Sequence, residues 1–391
     1  VVSFLRLLHT ADTHLHPEKP ERWAAFRAVC GLAQEQRCAA LLVAGDLFDS
    51  FQAAGELRPQ VRELLETLEM EVFLISGNHD SAAFGSGEYY GKNVHIAGGS
   101  QPVVWDFSGV SIVGLPYAAG RTGRQFLQSA AFPEDRPLVV LAHANFFCSE
   151  SSRFYFLRHQ DALAEAHFWD RDFEDFPASY IALGHWHNPT LPVIEVNRAK
   201  IAYSGTPYPM AKGENGSRKV FLIEVSERCI DIEAVDVPGV PRRESASFCF
   251  VPGSEEQTLE EIKEYLFSCA DPEVILDLEV AGWVSQVREN LLLREIESLV
   301  QKSREGWKAV NLAPGFVSIG SLPGIVRKCL QLLREAEPPA DAAFAGDPVL
   351  DQLVKEVVQE RELLYREALS LLLRHLGKGQ ELAGLEPCGV V

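Results

Sequence analysis

Five apolar runs in this chain each end in a short polar cluster, and the pattern constrains the fold more than anything else in the sequence. Leu5–Leu8 leads to Asp12-Thr13-His14, Leu41–Val43 to Gly45-Asp46-Leu47-Phe48-Asp49, and Val72–Ile75 to Gly77-Asn78-His79-Asp80. Leu138–Leu141 leads to His143, and Tyr180–Leu183 to Gly184-His185-Trp186-His187. Runs of three or four residues bounded by such groups are expected to be buried strands of an α/β sheet. In open α/β sheets ligands gather beyond the carboxyl ends of the strands, so distant stretches of chain deliver their side chains to one rim.

Between these runs the pattern alternates strand with helix from Phe4 to about Val237. Helices are expected at Glu21–Gln36, preceded by Pro20, and at Glu56–Glu69, where Val61, Leu64, Leu65 and Leu68 recur at helical spacing. Further strands are expected at Val94–Ala97, Val110–Leu115, Ile201–Ser204 and Val220–Val225, the last two as parts of a β-meander. Val237-Pro238-Gly239-Val240-Pro241 is a stiff break. Beyond it a smaller module is expected, with strands at Ser247–Val251 and Val274–Val280 and helices at Leu259–Phe267 and Gln286–Gln301. Past Gly320 the chain reads as helical, and a helix over 348–376 carries an apolar stripe that suits packing on its own protein or docking on a partner helix. The expected division is a binuclear-metal domain over 1–237, a small α/β cap over 242–320, a helical segment over 321–376 and a loose tail over 377–391.

A 391-residue chain with 47% hydrophobic residues holds enough apolar material for two or three cores. No apolar stretch reaches the roughly 18 residues needed to span a bilayer, and a cytoplasmic location is expected. The eight cysteines show no C-x-x-C spacing and are expected to be reduced and mostly buried. The net charge of −19 is spread along the whole chain. That argues against strong unaided affinity for nucleic acid, so bound cations, a local cluster or a partner must supply positive potential.

Aspartate, asparagine and histidine offer oxygen and nitrogen ligands, and no cysteine joins the clusters, which points away from a structural zinc site. Mn²⁺, Mg²⁺, Fe²⁺ and Zn²⁺ all suit such donors. The D-x-H spacing predicts that Asp12 and His14 project to one side of an extended chain. Asp46 is a natural bridge, because its two oxygens can each hold an ion, and Asn78 adds a neutral carbonyl oxygen. Two cations about 3.5–4 Å apart clamp a phosphoryl group and activate water, so phosphoester hydrolysis is the implied chemistry. His9 and His16 flank the clusters and are expected to be structural.

The series D-x-H, G-D-x-x-D, G-N-H-D, H and G-H-x-H resembles the calcineurin-like metallophosphoesterases. Within them it is similar to the SbcD-type DNA double-strand-break repair exonucleases. The narrower likeness rests on His9-Thr10-Ala11-Asp12, Gly45 to Asp49, Gly77 to Ser81, and Tyr203-Ser204-Gly205-Thr206-Pro207 followed by Lys219 to Glu224. It implies an α/β fold: a layered metallophosphoesterase β-sandwich flanked by helices, with a small α/β cap domain and a helical C-terminal tail. It also implies that Asp12, His14, Asp46 and His187 hold one metal, and Asp46, Asn78, His143 and His185 the other. His79 is the implied catalytic histidine, with Asp80 accepting its second N–H to fix the tautomer, and Asp49 has an orienting role.

The resemblance further implies Mn²⁺-dependent exonuclease and endonuclease activity on DNA, 3′-to-5′ digestion, homodimerisation, and docking of the C-terminal helices on an SbcC-like coiled-coil ATPase. Two rival readings remain at this stage, a phosphoesterase for small phosphoesters or cyclic nucleotides and a scaffold without chemistry. The cluster Leu141-Ala142-His143-Ala144 carries alanine where many such relatives carry glycine, and Ser81-Ala82-Ala83-Phe84 after Asp80 lacks the proline often found in the bacterial exonucleases. Trp186 suits packing better than base stacking. Arg121, Arg124, Arg153, Arg158 and Lys212 fall in loops expected near the rim, where solvated charge is the simpler role.

Overall fold

The computed structural model describes residues 4–318 apart from 86–87, 129–131, 134, 149–163, 174–175, 227–228, 251–254 and 285. The expected helix over 348–376, and Arg153 and Arg158, lie outside the described residues. The chain divides into two compact units, residues 1–243 and residues 244 onward.

In the first unit the apolar runs form two six-stranded sheets. One contains β1 (Leu5–Thr10), β2 (Ala40–Ala44), β3 (Glu71–Ile75) and β4 (Val94–Ala97). The other contains β5 (Val103–Phe107), β6 (Val110–Leu115), β7 (Leu138–His143), β10 (Tyr180–Gly184), β11 (Ile194–Val196) and β12 (Ala199–Tyr203). The short strands β8 (Asn145–Phe147) and β9 (His167–Trp169) pair separately. The first sheet is completed by β13 (Lys219–Val225) and β14 (Ile230–Asp236), giving the order β14-β13-β1-β2-β3-β4, while the second runs β11-β12-β10-β7-β6-β5. A single meander through Ile201 and Val225 is therefore corrected. After β12 the chain crosses to the other sheet, where β13 lies antiparallel against β1 with Leu7 opposite Ile223.

Period-two alternation explains the layers, because successive side chains of a strand face opposite ways. Leu7, Leu42, Phe73 and Ile75 turn toward Ile112, Val139, Leu141, Tyr180 and Ala182, building the core between the sheets. Their neighbours Leu8, Leu41, Val43, Val72 and Leu74 turn outward onto Phe26, Val29, Val61 and Leu65. These last residues belong to α1 (Pro20–Glu35) and α2 (Phe51–Glu66), which connect β1 to β2 and β2 to β3. On the far side Val140, Ile181 and Leu183 pack with Phe126, Phe168 and Phe173, and Phe126 lies on the short helix α3 (Gly123–Leu127). Fully burying each such side chain contributes on the order of 1.5–3 kcal/mol. Since β1, β2, β3, β7 and β10 run parallel to their neighbours among these five, their carboxyl ends share one edge of the sandwich.

The second unit is a three-stranded sheet, β15 (Arg242–Phe250), β16 (Val274–Val284) and β17 (Ala309–Ser318), in the order β15-β16-β17. Ile262 and Leu266 of α4 (Glu255–Ser268) and Leu292 and Ile296 of α5 (Gln286–Ser303) close its core with Phe250, Leu276 and Leu278. No helix among the described residues is long and apolar enough to cross a membrane. The described cysteines are free. Cys30 and Cys38 are buried as expected, but Cys229 and Cys269 are exposed.

His9, flanking the first cluster, ties the two sheets together. It is fully buried, and its Nδ1 lies 2.8 Å from the Tyr180 hydroxyl. Burial lowers its pKa to about 3, against a raising hydrogen bond from the backbone at Leu183. The unfolded chain therefore takes up a proton below about pH 6.5 that the folded chain refuses, and stability is lost as pH falls from there toward 3. We expect the unfolding free energy of His9→Leu, followed by urea titration, to depend less on pH over that interval. The limiting difference in slope is about 1.4 kcal/mol per pH unit.

Candidate metal centre

Beyond the shared edge the strands do not simply run out. Asp12, His14, Asp46 and His185 all take positive φ, at 53°, 44°, 49° and 104°. Non-glycine residues rarely adopt this left-handed region, and clusters of them mark functional sites. The expectation that Asp12 and His14 share a face of extended backbone is thus corrected. They meet because the chain coils after β1, held by Asp12 N–H donating to Gly45 O (3.1 Å) and His14 N–H donating to Asp46 O (3.0 Å).

The glycines leading into the clusters permit close approach. A Cβ on Gly77 would stand 2.1 Å from Asp46 Oδ1, and one on Gly45, whose φ is 90°, would stand 2.4 Å from His143 Nδ1.

The five clusters converge. Ligand atoms of Asp12, His14 and His187 lie within 4.8 Å of one another, as do those of His14, Asp46 and His79 and those of Asp12, Asp46 and His143. His143 Nε2 is 3.3 Å from Asp46 Oδ2 and 2.8 Å from Asn78 Oδ1, and His185 Nδ1 is 3.4 Å from the same Asn78 oxygen. Asp46 is central. His14 approaches its Oδ2 to 3.6 Å, while the His79 backbone N–H donates to its Oδ1 at 2.9 Å. Asp12 is steadied at both oxygens by the His185 N–H, 3.0 Å away.

Asp12 and Asp46 are almost fully buried, which is costly for paired carboxylates without nearby positive charge. Burial raises the Asp12 carboxyl, and Asp46 adds to the rise against the pull of His143. For Asp46 burial acts the same way, yet His143 and His14 outweigh it and hold the carboxyl below its ordinary range. Burial also disfavours the cation of His143, but Asp46 and Asp12 lift it to about 10. His185 goes the other way, lowered to about 3 by burial and by the charge on His143. The pocket thus demands positive charge between its carboxylates.

The buried ring nitrogens of His14 make no full hydrogen bond but stand at ion-pair distance from carboxylates, Nδ1 3.5 Å from Asp49 Oδ1 and Nε2 3.6 Å from Asp46 Oδ2. Buried polar atoms are normally satisfied, and His14 Nε2, facing the Asp46 carboxylate without a hydrogen bond, fits a cation ligand. The donor set of carboxylates, imidazoles and one amide oxygen suits divalent metals.

The expected hydrogen bond from His79 to Asp80 is not made. Asp80 is turned inward, where it accepts from the N–H groups of Gly77 (2.8 Å) and Phe48 (3.1 Å), stapling the second cluster to the third. Burial, reinforced by Asp46, raises its carboxyl to about 7. His79 is exposed, and its Nδ1 instead faces the Asp49 carbonyl oxygen at 3.1 Å. The Asp49 carboxylate receives Arg22 Nη1 at 2.8 Å, and Arg22 also donates to His14 O at 2.9 Å.

Other neighbours carry no motif. Glu165 Oε2 lies 3.5 Å from His185 Nε2 and accepts from the Tyr117 hydroxyl at 3.3 Å. Glu214, in the loop before β13, meets His187 Nδ1 at 2.8 Å. Their one sequence signal is a carboxylate downstream of a histidine or of the Gly205-Thr206-Pro207 turn, too common to single out. Of the basic residues expected at the rim, Arg121 donates to Ser100 O and lies over the Phe126 ring. Trp186 donates to Asn145 Oδ1 at 2.8 Å, keeping its ring 39% exposed beside the site.

Residues 5–189 match the model of the calcineurin-like phosphoesterase family. That family binds a dinuclear metal centre. Among individual proteins, the chain is similar to the DNA double-strand break repair protein Mre11 of Methanosarcina mazei, 28% identical over 75% of this chain and 47% of that protein. It is also similar to the SbcD component of the SbcCD nuclease of Rhodobacter capsulatus, 24% identical over 54% of this chain and 64% of that one. The match therefore spans about half the length of the Mre11 relative. Among solved structures, a purple acid phosphatase from yellow lupin superposes with a TM-score of 0.42 at 13% identity, over 62% of this chain and 53% of that chain.

Because a methyl at position 77 would collide with Asp46, Gly77→Ala is expected to destabilise the fold by about 1–3 kcal/mol in denaturant titration. It should also weaken divalent-cation binding measured by calorimetry. Unchanged stability together with unchanged binding would contradict this packing.

Proposed function

We propose that this chain is the nuclease component of an SbcD/Mre11-type repair complex, hydrolysing DNA phosphodiesters with a pair of divalent cations, Mn²⁺ first among them. The convergence of five clusters on Asp46 carries the hydrolase part of this reading. The likeness to proteins named for Mre11 and for the SbcCD nuclease carries the substrate. Asp12, His14, Asp46 and His187 hold one cation, and Asp46, Asn78, His143 and His185 the other. Such a pair, when bound, stabilises phosphoryl charge and acidifies water.

The chain's own residues supply position and protons. Asp46 is prevented from rotating by the His79 N–H on Oδ1, which leaves Oδ2 turned to His14 and His143. His143 Nδ1–H donates to Ala44 O at 2.9 Å, directing Nε2 into the site. His79 keeps Nδ1–H on the Asp49 carbonyl, so its charged form presents the Nε2 proton to the leaving oxygen. Asp80 supports catalysis indirectly, by fixing the loop that carries Asn78 and His79.

Digestion runs 3′ to 5′ in this reading. The acidic chain acquires duplex affinity from its cations and from an SbcC-like coiled-coil ATPase that docks on the segment beyond residue 320, within a cytoplasmic homodimeric assembly that acts in repair and recombination.

End-labelled linear duplex DNA tests the proposal. Asp46→Ala should abolish Mn²⁺-dependent nucleotide release. His79→Gln should lower kcat by roughly 10²–10⁴-fold while Mn²⁺ still binds. Hydrolysis of nitrophenyl phosphates with none of DNA would remove the nuclease reading and leave a small-molecule phosphoesterase.

A further inference from the structure

The loop between Gly205 and Arg218 approaches the metal centre from outside the five motifs, and its one inward carboxylate is buried. Glu214 is 4% exposed. Its Oε1 lies 2.8 Å from His187 Nδ1, and its Oε2 accepts the Met210 N–H at 2.5 Å and the Thr206 hydroxyl at 3.4 Å. Behind it Arg218 is 1% exposed, the largest fully buried side chain described. Arg218 Nη1 donates to His187 O at 3.1 Å and to Thr206 Oγ1 at 3.5 Å, and Nη2 donates to Asn215 O at 3.1 Å. The backbone closes the same circuit, with Thr206 N–H donating to His187 O at 3.0 Å. Gly205 makes that approach possible, since a Cβ there would stand 2.5 Å from His187 O.

Both ends of His187 are thereby gripped, the ring through Glu214 and the carbonyl through Arg218 and Thr206. A carboxylate can only accept, so the proton on the His187 ring belongs on Nδ1 and the lone pair on Nε2. Nε2 is the nitrogen left to join Asp12 and His14. A buried carboxylate behind a ligating histidine fixes ring orientation and raises basicity.

We propose that Glu214 is a positioning residue for the metal centre, holding His187 in the Nδ1–H tautomer from a loop that Arg218 anchors. The inference rests on the metallophosphoesterase reading for the ligand role of His187, but the tautomer itself does not.

The test uses the full chain with ¹⁵N-labelled histidine. In the metal-free protein at pH 8, two-bond ¹H–¹⁵N correlation spectra should show His187 as the Nδ1–H tautomer, and Glu214→Ala should lose that preference. Mn²⁺ titration followed calorimetrically should show a roughly 10–100-fold weaker affinity in Glu214→Ala. The same change should have no further effect in a His187→Ala background. Glu214→Gln keeps the volume and offers one acceptor oxygen in place of two, so a smaller loss in the same direction is expected if the alanine variant folds poorly. An unchanged tautomer in both variants, or an equal loss of affinity with His187 already removed, would overturn the proposal. Failure of the wild-type chain to bind any divalent cation would contradict the metallophosphoesterase reading instead, and the tautomer spectra would still decide the clamp.

Discussion

Two buried carboxylates govern this molecule. Asp12 and Asp46 sit within ligand distance of each other and of His143, almost wholly removed from water. Neither tolerates burial alone, and each is surrounded by imidazoles and by N–H groups aimed at its oxygens. The sandwich exists around that demand. Five strands from two sheets bring their ends to one edge, and the turns beyond them accept left-handed backbone at Asp12, His14, Asp46 and His185 so that the side chains meet. Strain of this kind persists only where surrounding structure over-determines it, and here three layers of apolar side chains do so.

Polarity inside the centre is arranged in depth. His143 leans on Ala44 O, His79 on Asp49 O and His187 on Glu214, while His14 Nδ1 stands 3.5 Å from Asp49 Oδ1. Where the outward nitrogen is engaged, the inward one is directed to the carboxylates. His14 Nε2, buried 3.6 Å from Asp46 Oδ2 without a hydrogen bond, suits a cation ligand, because a buried polar atom left unsatisfied is otherwise unfavourable. Asp80 belongs to the same logic on the backbone side, joining the loops of β2 and β3 through Phe48 and Gly77.

Much of this was legible from residues alone, for a physical reason. Strand interiors with apolar side chains on both faces are unmistakable, and the bounds expected for β4 and β6 coincide with the observed ones. Convergence of the clusters followed from their position at strand ends. The division into two sheets was not legible, because Leu138–Leu141 and Tyr180–Leu183 look like the runs of the first sheet and pairing is decided by long-range packing. The placement of β13 beside β1, more than two hundred residues apart, is of that type. Local periodicity also misjudged Asp12 and His14, since a two-residue spacing implies a shared face only while the backbone stays extended. Asp80 follows His79 directly, but the turn points its carboxylate away from that ring. Glu214 and Arg218 had no pattern at all, and only tertiary structure reveals that a loop after β12 returns to grip His187.

The account stands on a pair of cations gathered about Asp46. Anomalous diffraction from crystals of the protein soaked in Mn²⁺ tests that most directly. It should show two peaks, both within reach of the Asp46 carboxylate, with His14 and His187 around the first and Asn78, His143 and His185 around the second. A map with no peak within reach of Asp46 in a protein that binds Mn²⁺ elsewhere would contradict it.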